Sequence, residues 1–148
     1  MDIGRRASYP ASDLSNFAPH SFVFDGIKCA SMEGLLQSFK YDDPVIQIEL
    51  CGLTGFDAKR RGQERDAVWK KAQTLWWKGV VYDRNRRPYQ ELLDCAFNSL
   101  SQNELFKKAL RDTGLLPLTH SIGKSDLSDT ILTELEFCSR LESLRALL

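Results

Sequence analysis

Apolar positions recur along this chain in two periods, and the switches between them outline its elements. Two short apolar runs between Ser21 and Ala30 flank Asp25-Gly26. Asp-Gly supplies the two positive-φ positions of a type I′ turn, so a β-hairpin is predicted. Met32, Leu35, Leu36 and Phe39 then follow a 3.6-residue period, with Ser31 placed to cap a helix. The next segment opens on Asp43-Pro44 and closes on Gly52. Its alternation over residues 45–51 would also suit a strand, but proline at the first helical position and glycine past the end favour a helix. A short helix over residues 56–61, ending at Gly62, and another from about Arg65 carrying Trp69 come next. The aromatic and β-branched run from Thr74 to Tyr82 surrounds Lys78-Gly79 and predicts a second hairpin. After a polar loop over residues 83–87, Pro88 starts a helix with Leu92, Leu93, Ala96, Phe97 and Leu100 on its apolar face. Ser101 and Glu104 have the spacing of a capping box for a helix that packs Leu105, Phe106, Ala109 and Leu110 and stops at Gly114. Residues 115–119 read as extended and 120–129 as a polar loop. Thr133 and Glu136 form a further capping box for a last helix with Phe137, Cys138, Leu141 and Leu144 inward. Residues 1–13 are polar and are expected to form an arm or a loose first strand. The sum is one helix-dominated α+β domain over residues 1–148 with two small β-hairpins; nothing alternates as βαβ.

Composition changes this picture little. The chain has 148 residues, 43 % hydrophobic and 27 % charged, as in an ordinary globular protein. Twenty basic residues balance twenty acidic ones. Zero net charge argues against non-specific DNA binding as the main task, because that affinity comes from neutralising phosphates. It leaves room for a local basic patch. The four cysteines are far apart and only two histidines are present, so no metal-ligand spacing arises and buried free thiols are expected. No apolar leader or membrane span is apparent, which predicts a cytoplasmic protein.

Candidate chemistry gathers first on the helix after Ser31. Glu33, Gln37 and Lys40 share one face, with the acid in the first turn and the amine about two turns on. The rise is roughly 10 Å, yet a lysine side chain leans back towards the helix start, so both groups can reach one ligand. By pattern alone a solvated polar face is the commoner meaning. Lys59, Arg60 and Arg61 form a basic cluster that suits a phosphate or pyrophosphate as well as it suits a helix C-terminus. Arg84, Arg86 and Arg87 read as solvated. One of Trp69, Trp76 and Trp77 could stack on a base, although packing is the commoner use of tryptophan. His120, Ser121 and Asp126 share the late loop, but no nucleophile elbow accompanies them. Asn16 can bind amides or hydroxyls, or simply form a turn.

One passage shifts these odds. Ser15-Asn16-Phe17, the Asp25-Gly26 turn, Ser31-Met32-Glu33 and Lys40 seven residues on resemble the signature of the NADAR (YbiA-like) family. Ala58 to Gly62 is similar to that family's A-x-x-x-G segment, and Trp69 to the tryptophan that follows it. Phe97 and residues 102–113 match a later region more loosely. The chain departs from the family near its end: no tryptophan-glycine pair follows His120, and Asp126 stands where a family aspartate would fall.

The resemblance implies cleavage of an N-glycosidic bond in a phosphorylated ribosyl compound. The substrate would be an ADP-ribose conjugate of guanine, as nucleoside or in DNA, or an early riboflavin-pathway ribosylamino-pyrimidine phosphate. It implies Glu33, Lys40 and Asp126 as catalytic residues. Glu33 would face the positive charge that builds on the sugar as the C–N bond breaks. Lys40 would hold a phosphate or leaving group, or attack an opened ribose as a neutral amine. Substrate contacts would come from Asn16, Phe17, Ser31, Gln37, Lys59, Arg60, Gly62, Trp69 and His120. No metal or cofactor is implied. A binding module that holds ADP-ribose without cutting it is the competing expectation.

Overall fold

The computed structural model describes residues 1–148. A 3₁₀ turn over Ala11–Leu14 leads to the first hairpin, β1 (Phe22–Phe24) and β2 (Ile27–Cys29). Helices α1 (Met32–Ser38), α2 (Pro44–Cys51), α3 (Gly55–Gln63) and α4 (Asp66–Ala72) follow. The second hairpin is β3 (Thr74–Trp77) and β4 (Val80–Asp83), and α5 (Arg87–Leu100), α6 (Glu104–Asp112) and α7 (Glu134–Ala146) complete the chain. The predicted helix-dominated α+β architecture is the observed one.

Both hairpins form where the turn residues place them. Asp25 and Gly26 have φ of 49° and 79°, Lys78 and Gly79 have 47° and 82°, and the strands pair antiparallel with Phe24 opposite Ile27 and Trp77 opposite Val80. Alternation then sends Phe22 and Phe24 inward while Val23 faces out.

Helix α1 is the centre of the fold, packed on α2, α3, α5 and β2. Ser31 caps it through Gly34 N–H at 3.1 Å. Only Glu33 in the run from Met32 to Lys40 escapes full burial. Two glycines permit this density. A Cβ at Gly34 would sit 2.6 Å from the Leu50 carbonyl oxygen and 2.7 Å from that of Leu53, so α1 crosses the end of α2 backbone against backbone. At Gly62 a Cβ would overlap the Gln37 amide, 1.7 Å from its Oε1. Gly62 therefore lies inside α3, which runs on to Gln63, and does not end it as the sequence suggested.

Other differences have local causes. Ser101 caps the end of α5, and the N-cap of α6 is Asn103, whose side chain accepts from Phe106 N–H. The Thr133–Glu136 capping box is complete in both directions. Cys29, Cys51 and Cys138 are buried, but Cys95 is exposed, and all four are free thiols. Arg84, read as solvated, is wholly buried: its guanidinium donates to both Glu136 oxygens at 3.1 and 2.7 Å and to the Thr130 carbonyl at 2.9 Å.

The first thirteen residues do not form a free arm. Ile3 and Ala11 are core residues. Ile3 N–H donates to the Thr119 carbonyl at 2.8 Å, and Asp2 accepts from Ser121 N–H at 2.8 Å and from the Ser121 hydroxyl at 2.5 Å. The N-terminal segment thus ties the late polar loop to the body. No helix is long and apolar enough to cross a membrane.

Candidate active site

The segment around Asn16, helices α1, α3 and α4, and the late loop enclose a cavity of about 560 Å³. Glu33 stands in its wall because Ser31 starts α1 at this edge and Glu33 N–H is tied to the Asn16 carbonyl at 3.0 Å. One Glu33 oxygen accepts from the Gln37 amide at 2.8 Å, the i to i+4 geometry of a helix face. Burial pushes the Glu33 carboxyl above the usual glutamate range; the Gln37 hydrogen bond and the positive charges of Lys40 and Lys59 pull it back only in part.

Lys40 lies one turn beyond Gln37 and is buried. Its Nζ donates to Asp66 Oδ1 at 2.6 Å, and the Trp69 indole N–H donates to the same oxygen at 3.3 Å. Burial lowers the Lys40 ammonium below the usual lysine range, against the opposing pull of Asp66 and Glu33. Acid and amine thus sit in one hollow, each made less stable as an ion by loss of water. Two amide oxygens here, Asn16 Oδ1 and Gln37 Oε1, are buried without a hydrogen-bond partner. Such groups cost free energy unless something donates to them.

Of the residues expected from the sequence, Glu33, Lys40, Asn16, Phe17, Gln37, Lys59, Trp69 and His120 all line this cavity. Four do not. Asp126 is exposed, and its carboxylate is turned to the backbone N–H and hydroxyl of Ser128, which hold it below the usual aspartate range. Ser31 is committed to the cap and to the Leu53 carbonyl at 2.9 Å. Arg60 is on the surface and pairs with Asp57. Gly62 serves the cavity indirectly, by making room for the Gln37 amide. Arg61 points outward as well, to Glu49 at 2.7 Å.

Sequence reasoning missed several contributors. Asp66 is the counter-charge of Lys40; its signal was an acid three residues before Trp69, on the same helical face. Arg5 lies over the Phe56 ring at 4.5 Å, and Phe56 meets Phe17 edge to face at 5.1 Å, making an aromatic and cationic rim. Lys70, Lys124 and Asp129 also line the hollow. Trp69 is only 1 % exposed, so it forms wall and holds Asp66 more than it offers a stacking face. Trp77 belongs to the core with Phe24 and Phe39, and Trp76 is half-buried under Arg65.

A helix-rich α+β fold in which α1 carries a carboxylate and the turn that follows it an amine, both lining one mixed-charge cavity, is the class that the structure defines. The structure superposes on the solution structure of the E. coli protein YbiA with a TM-score of 0.62, at 18 % identity, over 95 % of this chain and 79 % of that one. That likeness establishes a YbiA-like fold. Residues 8–146 match the family described as Bacteriophage protein GP30.3. The chain belongs to that family. A relative from Enterobacteria phage T4, described as an uncharacterized 17.1 kDa protein in the Gp30-rIII intergenic region, is 37 % identical over 147 residues, covering 98 % of this chain and 96 % of the relative.

Proposed function

We propose that the protein is an N-glycosidase acting on a phosphorylated ribosyl substrate, with an ADP-ribose conjugate of guanine the favoured one. The observation that carries this reading is the Glu33 carboxylate, half-withdrawn from water and aimed into the same hollow as Lys40. A cleaving C–N bond leaves positive charge on the sugar. A fixed carboxylate in a poorly hydrated wall stabilises that charge far better than one in bulk water. The cavity volume lies within the range of small-molecule sites.

The charge around the hollow favours two phosphates over one. Its lining holds the cations Arg5, Lys40, Lys59, Lys70 and Lys124 against Glu33, Asp66 and Asp129. Lys40 is taken by Asp66 and Lys70 lies 3.9 Å from Asp129, while Lys59, Lys124 and Arg5 have no acidic partner and are available to a pyrophosphate. This support replaces the Lys59–Arg61 cluster of the sequence, two of whose members pair elsewhere. The unpartnered Asn16 oxygen, on a residue of the cavity wall, suits a ribose hydroxyl or a base N–H.

The test is a product assay by mass spectrometry on ADP-ribosylated guanosine, ADP-ribosylated DNA and a ribosylamino-pyrimidine phosphate. Free ADP-ribose is the expected product, and Glu33→Gln should lower kcat by about a hundredfold or more. An equally active purified Glu33→Gln protein would overturn the assignment. Saturable ADP-ribose binding with no product from any substrate would make the protein a binding module, a reading favoured by the removal of Asp126 from the cavity.

A further inference from the structure

His120 is placed by contacts that leave one ring nitrogen for the cavity. Its Nδ1 lies 2.8 Å from the Ile3 carbonyl oxygen. A carbonyl only accepts, so Nδ1 carries the proton of the neutral ring and Nε2 carries a lone pair. The ring meets Phe137 edge to face at 5.2 Å. On its other side a Cβ at Gly123 would come within 2.6 Å of Cδ2, so the chain needs glycine there for the ring to lie as it does. The backbone holds the same residue, because His120 N–H donates to Glu134 Oε1 at 3.1 Å. Nε2 is then the one polar atom of the imidazole with no partner in the protein, and His120 lines the hollow into which Glu33 projects.

We infer that His120 is the proton acceptor of the site, its tautomer set by the Ile3 carbonyl, taking a proton from the water that attacks the sugar. This rests on the glycosidase reading and deepens it. The C1′–N bond breaks and its electron pair leaves with the base nitrogen. A water oxygen bonds to C1′, its proton passes to Nε2, and the departing nitrogen takes a proton from solvent or from the resulting imidazolium. Glu33 keeps its part as the negative charge beside the cationic sugar. Two titratable groups in one cavity then divide the work, one electrostatic and one proton-handling. The N-terminal segment becomes part of the active site: Ile3 fixes the ring and Asp2 pins Ser121 beside it.

Two variants separate this role from packing. In His120→Asn the side-chain NH2 can replace Nδ1–H towards Ile3, but nothing replaces Nε2. In His120→Gln the amide reaches the Nε2 position and loses the Ile3 contact. The expected result is that His120→Asn keeps the fold and KM while kcat falls about a hundredfold. Wild-type kcat in His120→Asn would overturn the inference. The tautomer is measured separately by ¹⁵N NMR of the wild-type imidazole, where a bare Nε2 supports the assignment and a protonated one in the neutral ring overturns it. If the wild-type protein cleaves none of the three substrates, that failure belongs to the glycosidase reading, and the NMR measurement still decides the imidazole.

Discussion

At the scale of single residues, Glu33 shows how position outweighs residue type. The sequence offered an acid on a polar helix face, and most such acids are solvated. Here α1 is so deeply packed that even its polar face is covered, and loss of water holds the carboxyl neutral to a higher pH than usual. The sign of the pH effect follows. Unfolded, Glu33 titrates near 4.5; folded, it titrates higher. Its contribution to stability is full below pH 4.5 and is lost as pH rises through the folded value. Glu33→Gln, which keeps an oxygen for the Gln37 amide, should therefore melt higher than wild type at neutral pH, by roughly 2–4 °C per kcal/mol recovered, and show no gain at acid pH. Differential scanning calorimetry against pH measures both. A gain in stability joined to a loss of activity is the signature of a strained functional group.

At the scale of elements, the Arg84–Glu136 pair joins the end of β4 to the first turn of α7. Burial alone would raise the Glu136 carboxyl, but Arg84, the Thr133 N–H and the Gln90 amide outweigh it and hold it below the usual range. This stabilisation is present above pH 4.5 and is lost as pH falls through the folded value. Glu136→Gln retains the capping acceptor but leaves a buried guanidinium without its counter-charge. A loss of about 3–5 kcal/mol is expected, seen as a lower urea midpoint at unchanged slope. Arg84 also explains one failure of sequence reading. It stands in a run of polar and charged residues, Asp83 to Arg87, that looks uniformly solvated; its partner lies 52 positions away. The hairpins, the α1 cap and the α7 capping box were legible because each depends on neighbours within four residues. The N-cap of α6 was missed because Ser101 and Asn103 have equally good local chemistry, and the end of α5 decides between them.

At the scale of the whole molecule, a chain of zero net charge encloses a hollow with more cations than anions. Bulk charge therefore says little about the ligand, while the local excess favours an anionic one. ADP-ribose, a product on the proposed reading, should bind the folded state alone. At a hundredfold excess over its Kd it adds about 2.7 kcal/mol of stability, read as a higher melting temperature. The shift should be smaller in Lys59→Ala and Lys124→Ala, and no shift with ADP-ribose beside a clear one with ribose 5-phosphate would move the substrate to the single-phosphate class.

The amino-acid sequence by itself determined the periodicities, turns and caps, and with them the helix-dominated α+β class. It also determined that Glu33 and Gln37 share a face, because a helix's own geometry makes residues four apart neighbours, whereas Lys40 falls in the turn after α1 ends at Ser38. The tertiary structure alone decided what that face meets. Asp66 beside Lys40, Arg5 and Phe56 at the rim, His120 turned by Ile3, and the exclusion of Asp126 and Arg60 all depend on segments distant in sequence. Burial and counter-charge are properties of what surrounds a residue in space, and no period along the chain encodes them.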